Sequence, residues 1–530
     1  MPDIEGNKQP AANRQIARAA STVMIAMVIG QIASLVANSL IAGTFGTGSE
    51  SEAYFAANRY SEIIFNLVAG GALGSAFIPT FAGLIAEEKR KRAWELASSI
   101  VNLLLVVLIF IAILSAIFAP FIVREILAPG FKGDPIKEPL TILLLRIQLP
   151  SAVIFGISGL AMGILNAHQR FLIPALAPAM YQLGKIFGTL VLAPFMGVQG
   201  LAVGVVLGAA FHLILQLPSI LKLPERQYHL KLGLKIPDVH EVARLMAPRL
   251  LGVAAVQLNF WLNTNLATNQ SEGSVTAINF AFPLMYMPLA AIAQSIAIAA
   301  LPTFSAQAAR NEFGEMRASL AATLRGVLLL AIPATIGLIL LRKPIVALVY
   351  QRGAFTDHST EMVSWALLWY ASGLIGHSIV EILSRAFYAL HDTKTPVFVL
   401  GFAMSLNLVF SLLFSNWFMR MGLPPHGALA LANSLATTIE MGILLYLMRK
   451  RLKGLQGKDI IQVCLQAGIA ALVMGAVIIA WLSFSVSFSA VWEALIGVCL
   501  GALAYGLMIL IIKPRELDSV IGFVKNKISH

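Results

Sequence analysis

The sequence predicts an all-α polytopic membrane protein with about 14 transmembrane helices: two six-helix lobes in parallel repeat, followed by two C-terminal helices. Three observations carry that prediction. The chain of 530 residues is 58% hydrophobic and only 12% charged, too little polar surface to cover itself in water, so a bilayer must solvate much of it. Its apolar residues fall in long runs near 19–43, 60–86, 95–119, 140–165, 172–194, 198–220, 243–266, 274–305, 319–341, 360–389, 396–418, 426–448, 460–483 and 490–512, matching the roughly 20 residues a helix needs to cross the hydrocarbon. Landmarks between the runs also recur. Pro79-Thr80-Phe81 returns as Pro302-Thr303-Phe304, Gly130-Phe131 as Ala354-Phe355, and Ala167-His168-Gln169-Arg170 before Pro174 as Ala389-Leu390-His391-Asp392 before Pro396, at offsets of 223, 224 and 222 residues.

Taken in order, residues 1–18 form a polar N-terminus with Lys8, Arg14 and Arg18. The run after it exceeds the roughly 7–15 residues of a signal-peptide core and reads as a retained first helix. Residues 19–220 make the N-terminal six-helix lobe, 221–242 a linker, 243–448 the C-terminal lobe, and 449–530 two extra helices with the C-terminus. Long continuous runs favour helices over barrel strands, which alternate over about 10 residues. An even number of spans per repeat starts both lobes on the same side, so the axis relating them lies along the membrane normal and a central cavity separates them. In the linker, Lys222, Arg226, Lys231 and Lys235 lie amid Leu230, Leu232, Leu234 and Ile236, which fits an interfacial segment as well as an ordinary polar connection. The loop 120–139 holds Pro129, Gly130, Gly133 and Pro135 and reads as irregular.

The net charge of +12 does not point to nucleic acid, because its placement follows the membrane. With the N-terminus cytoplasmic, 24 of the 38 Lys and Arg residues fall in loops on that side and 7 on the other. The positive-inside bias therefore puts both termini in the cytoplasm, with anionic headgroups as contacts. Cys464 and Cys499 sit within apolar runs and read as small packed side chains rather than redox or metal groups. The chain contains no P-loop lysine signature, zinc-binding histidine helix or paired-carboxylate loop, so no cofactor is expected and transport must draw on a gradient, the membrane potential or its own cargo.

Ionisable groups inside spans are the candidate site, since each costs roughly 2.5–3.5 kcal/mol at the bilayer centre. Arg59 and Glu62 lie three residues apart near the start of the second span and can pair on one helix face. Lys185 sits deep in the fifth span between Pro178 and Pro194, Arg249 follows Pro248 in the seventh, and Arg325 lies in the ninth. His377, Glu381 and Arg385 recur every four residues in the tenth span, as a charge relay or an internal ion pair. Glu440 and His212 are isolated and read as satisfied core groups. Asn263, Asn407 and Asn433 are sodium candidates only by their amide oxygens. Such amides more often join helices, and no carboxylate accompanies them.

Specific strings then identify a resemblance. Gln351-Arg352-Gly353-Ala354-Phe355-Thr356 and the run Ser384-Arg385-Ala386-Phe387-Tyr388-Ala389-Leu390-His391-Asp392-Thr393-Lys394-Thr395-Pro396 closely resemble the MurJ/MviN lipid II flippase family. Phe45-Gly46-Thr47-Gly48, Glu52-Ala53-Tyr54-Phe55, Gly71-Ala72-Leu73 and Ala76-Phe77-Ile78-Pro79 extend the likeness to nearly the whole chain. The resemblance implies a multidrug/oligosaccharidyl-lipid/polysaccharide exporter fold in the bacterial inner membrane, working by alternating access on a lipid-linked saccharide. It further implies a cationic cavity walled by spans 1, 2, 7 and 8, a groove for the polyprenyl tail at spans 13 and 14, a single chain as the working unit, and contact with the cell-wall synthesis machinery. Arg59 and Arg249 would steer the diphosphate with Lys185 and Glu62 beside them, and Glu52, His377, Glu381 and Arg385 would gate or couple the lobes. The chain departs from the family at that cavity. Residues 23–58 contain no Lys or Arg, Gln31 and Ala37 stand near where arginines are expected, and Ala281-Phe282-Pro283-Leu284 replaces an Asp-Arg pair. Another lipid-linked glycan, an amphipathic cation, or a non-transporting scaffold role are the alternatives.

Overall fold

The computed structural model of the chain describes residues 8–67, 74–224, 226–485 and 488–514, and all of their regular structure is helical. Two compact units divide the chain, Met1–Glu272 and Gly273–His530. The first contains α1 (Lys8–Phe45), α2 (Ser49–Phe65), α3 (Gly74–Ala86), α4 (Arg90–Ile117), α5 (Lys137–Ala167), α6 (Leu172–Phe187), α7 (Val198–Ile214) and α8 (Pro237–Thr268). The second contains α9 (Ser274–Leu289), α10 (Ser295–Ala309), α11 (Phe313–Leu340), α12 (Arg342–Tyr350), α13 (Asp357–Ser372), α14 (Leu374–Ala389), α15 (Lys394–Arg420), α16 (His426–Arg451), α17 (Gly457–Phe484) and α18 (Ala490–Ile512). Short helical turns join several of them.

Among the described residues, 11 helical stretches are long and apolar enough to cross a membrane, and α13 with α14, bent by 45°, makes a twelfth if counted as one span. Two of the 14 expected spans do not register among the described residues. Of the other two runs, 60–86 is shared between α2 and α3 across residues outside the described set, and only Phe77–Ala86 stands as a shorter apolar helix. The run at 243–266 belongs to α8, where several side chains between 248 and 255 lie outside the described residues. The helices turn apolar side chains outward: Phe110 is 64% exposed, and Leu472, Leu503 and Ile511 are likewise exposed. A surface of that kind is stable against hydrocarbon rather than water.

The duplication is visible in the backbone. α4 and α11 are each 28 residues long. Each follows a helix that ends on a left-handed residue, Glu88 (φ 60°) in the first unit and Asn311 (φ 59°) in the second. Gln169 (φ 58°) and His391 (φ 57°) repeat the device before α6 and α15. In all four, the next amide reaches back to the same helical carbonyl: Lys89 N to Leu84 O, Glu312 N to Gln307 O, Arg170 N to Leu165 O and Asp392 N to Phe387 O, each 2.9–3.0 Å. These are helix stops closed by a six-residue hydrogen-bonded ring. Asp392 then starts α15, accepting from Thr395 N at 3.0 Å and Thr395 Oγ1 at 2.8 Å. The amide of Thr395 holds its carboxyl below the ordinary aspartate range. The recurring motif around His391 is thus a stop-and-start signal between helices. Likewise Phe355 packs with Phe280 and Tyr350, and Thr356 caps α13 by accepting from Ser359 N.

Two packing features set up the site. α6 and α7 approach to backbone contact through Gly184, Gly188, Gly200, Gly204 and Gly208. A Cβ added at Gly204 would stand 2.7 Å from Gly188 Cα, and one at Gly184 would collide with Gly208. Small residues at four-residue spacing let membrane helices close in this way. Gly204→Leu is expected to cost about 3 kcal/mol, the upper end for overpacking, and to lower the thermal unfolding midpoint in detergent, whereas a leucine at the open position Gly337 leaves it in place.

α8 is fastened within the first unit at both ends. Arg92 grips Asp238 with two donors, at 2.6 and 2.9 Å. Trp261 Nε1 and Asn265 Nδ2 both donate to Ile126 O, at 2.9 and 2.8 Å, and Gly130 packs against the Thr268 backbone. The duplication counts this helix as the opening of the second repeat, while its contacts place it in the first compact unit.

Candidate functional site

α2 carries Glu52, Arg59 and Glu62 on a helix packed against α5 and α8. Near its start, Glu52 is 1% exposed and accepts from Lys137 Nζ at 2.6 Å. Lys137 also lies 5.4 Å from the centre of the Phe131 ring. Sequence reading missed Lys137, because 85 residues separate it from Glu52. The duplicated Gly130-Phe131 landmark thereby becomes an apolar cover over a buried ion pair.

Two turns further on, Arg59 Nη1 donates to Glu62 Oε2 at 2.8 Å and Asn58 Nδ2 donates to Glu62 Oε1 at 2.7 Å. The guanidinium rests 5.5 Å from the Phe260 ring centre on α8. Glu62 opens on a cavity of about 270 Å³ bounded by α2, α5, α6 and α7, with Asn58, Ser61, Phe155, Tyr181, Gln182 and His212 among its lining residues. Three buried oxygens on this lining, Asn58 Oδ1, Ser61 Oγ and Gln182 Oε1, have no hydrogen-bond partner among the described residues. The cavity therefore has room and polarity for water or for polar atoms of a ligand.

Lys185 is 8% exposed, seated over the Tyr181 ring at 5.4 Å and within electrostatic reach of Glu62. Of the predicted residues, Glu62 lines this cavity, Arg59 is joined to it through the Glu62 ion pair, and Lys185 interacts with Glu62 electrostatically from α6. Tyr181 was legible as the residue four before Lys185, but Asn58, Ser61 and Gln182 had no charge to mark them. The side chain of Arg249 lies outside the described residues.

In the second unit, His377, Glu381 and Arg385 share one face of α14, as their spacing predicts. Arg385 Nη2 stands 3.6 Å from Glu381 Oε2, and Gln294 Nε2 donates to Glu381 Oε1 at 3.4 Å and to Tyr286 at 2.8 Å. His377 Nε2 meets Asn433 Oδ1 at 3.2 Å. The amides proposed for sodium each make a structural bond: Asn433 to His377, Asn407 Oδ1 to Ser411 at 3.1 Å, and Asn263 Nδ2 to Asn259 at 3.4 Å. Among the described residues no group of three or more His, Cys, Asp or Glu is placed to hold a metal ion.

Comparison with known proteins agrees with this architecture. A family model described as "Lipid II flippase MurJ" matches residues 41–499. The lipid II flippase MurJ of Burkholderia cenocepacia is 30% identical over 443 residues, covering 82% of this chain and 84% of that protein. A probable lipid II flippase MurJ of Vibrio cholerae is 29% identical over 441 residues, 82% of each chain. Among solved structures, a lipid II flippase MurJ in an inward closed conformation superposes with a TM-score of 0.80 at 25% identity, over 93% of this chain and 99% of that one. An inward-facing multidrug resistance MATE family transporter of the MOP superfamily shares the fold, with a TM-score of 0.68 at 16% identity over 83% of this chain and 99% of that one.

Proposed function

Because the chain belongs to the lipid II flippase MurJ family, we propose that it is a transporter that moves the lipid-linked peptidoglycan precursor, lipid II, from the cytoplasmic to the outer leaflet by alternating access. The observation that carries this reading is the match to the family along residues 41–499. The fold supports it, since two helical units of like backbone design are a habitual build of such transporters. Both termini lie in the cytoplasm, in keeping with the charge bias of the loops. Arg59 steers the diphosphate with forked donors suited to its oxygens, Arg249 assists from α8, and Lys185 adds a second buried cation near Glu62. α17 and α18, whose Leu465, Leu472, Leu503 and Leu507 are exposed, offer an apolar surface to the polyprenyl tail.

A second cargo is favoured by one observation, the absence of any Lys or Arg from residues 23–58, which leaves fewer anion donors than a family cavity uses. Another polyprenyl-diphosphate glycan would then be carried. Competition in proteoliposomes decides: unlabelled lipid II suppresses flipping of labelled lipid II if it is the cargo, and a different lipid-linked glycan that suppresses it more strongly replaces it.

A further inference from the structure

α14 and α16 lie side by side in a steady register. Gly373 faces Ser434 and Gly376 faces Thr438, where an added Cβ would meet Oγ at 2.5 Å and Oγ1 at 3.4 Å. His377 Nε2 then lies 3.2 Å from Asn433 Oδ1 and 3.5 Å from Thr437 Oγ1. Because the numbers rise together on both helices, they run in the same direction, and one turn further the register sets Glu381 beside Glu440. The two carboxyls are within electrostatic reach. Arg385 and Gln294 serve Glu381. Glu440, 6% exposed, has neither a hydrogen bond nor an ion pair among the described residues.

Other charges on the packed elements stand elsewhere. α13 carries Asp357, His358 and Glu361 at its N-terminal end, near His426, whose Nε2 lies 3.0 Å from Met362 O. α13 also carries Tyr370, and α9 carries Tyr286. α15 has Lys394 and Arg420 at its two ends, α14 adds Tyr388, and α16 adds Tyr446, Arg449, Lys450 and Arg451 beyond Glu440. α11, also packed against α14, carries Glu315, Arg317 and Arg325 in its N-terminal half, and Arg325 Nη1 donates to Gln456 Oε1 at 3.3 Å. A buried carboxylate without a donor is costly, a neighbouring negative charge adds to the cost, and taking up a proton relieves both.

We propose that Glu440, set beside the ion-paired Glu381, is a proton-binding carboxyl that couples transport to proton movement. The step is a single protonation. A carboxylate oxygen of Glu440 takes a proton from water in one conformation, and the same O–H returns it to water in the other. The unit's charge changes by one and no other bond forms or breaks. The coupling, though not the proton site, rests on the flippase reading.

Infrared difference spectra of the full chain in vesicles, recorded across pH steps, test the site without cargo. A protonated-carboxyl band is expected in the unsubstituted protein, lost in Glu440→Gln and shifted in Glu381→Gln. An unchanged band in Glu440→Gln overturns the proposal. In parallel, labelled lipid II flipping is followed with and without an imposed proton gradient. The unsubstituted protein is expected to respond several-fold and Glu440→Gln to lose that response. Flipping that proceeds indifferent to the gradient overturns the coupling. A band that behaves as expected with no lipid II flipping under any gradient supports the site and overturns the cargo instead.

Discussion

Glu52→Gln will lower the stability of the folded protein by about 3–5 kcal/mol, because it leaves the Lys137 ammonium buried without its counter-charge. The pair is short, 2.6 Å, with side chains only 2% and 12% exposed, so neither group has water to fall back on. Lys137→Met should cost a comparable amount by stranding the Glu52 carboxylate. The double replacement Glu52→Met with Lys137→Met should cost less than either single change, since it removes both desolvated charges together. Thermal unfolding in detergent, scored as a double-mutant cycle, reads the coupling directly. Additive effects would mean that the pair does not form, and that Glu52 acts in gating apart from Lys137.

The second large effect concerns Arg59. Charge-assisted hydrogen bonds contribute about 1.5–3 kcal/mol, so Arg59→Ala should weaken lipid II binding by roughly 10- to 100-fold, with Arg59→Lys intermediate because a point charge lacks the guanidinium fork. Arg59 also neutralises Glu62 at 2.8 Å, and that competing role is separable. If Arg59 serves only to hold Glu62, the double replacement Arg59→Ala with Glu62→Gln restores transport. If it grips the diphosphate, the double replacement stays impaired and Glu62→Gln alone, which releases the guanidinium, binds lipid II at least as tightly as the unsubstituted protein.

Much of the fold was legible because membrane solvation imposes simple rules. Runs of about 20 apolar residues mark spans whatever their packing, and the matching offsets at Pro79, Gly130 and Ala167 reappear as matching left-handed helix stops at Glu88 and Asn311 and at Gln169 and His391. What failed to show was anything set by packing. The tenth run reads as one continuous span, yet Gly373 breaks it into α13 and α14, where Ser434 crowds the backbone. α8 belongs to the second repeat by count, but Asp238, Trp261 and Asn265 fasten it to α4 and to Ile126 in the first unit.

The site was half legible for the same reason. Arg59 with Glu62 and Glu381 with Arg385 are spaced for one helix face, and both pairs form. Lys137 with Glu52 joins residues on different helices, which no local spacing reveals. Glu440, isolated in its span, reads as a satisfied core group, whereas its buried side chain makes no hydrogen bond or ion pair among the described residues. The polar cavity was invisible because Asn58, Ser61 and Gln182 carry no charge, and only the three-dimensional packing leaves their oxygens without partners.

The central claim is that this chain carries lipid II across the bilayer. The most direct measurement is the accessibility of lipid II at the outer surface of bacterial cells depleted of their own lipid II flippase and supplied with this chain. The account predicts that externally accessible lipid II and growth are both restored, and that Arg59→Ala, present in the membrane at the same level, restores neither fully. Lipid II that stays inaccessible while the unsubstituted chain is folded and abundant in the membrane would contradict it.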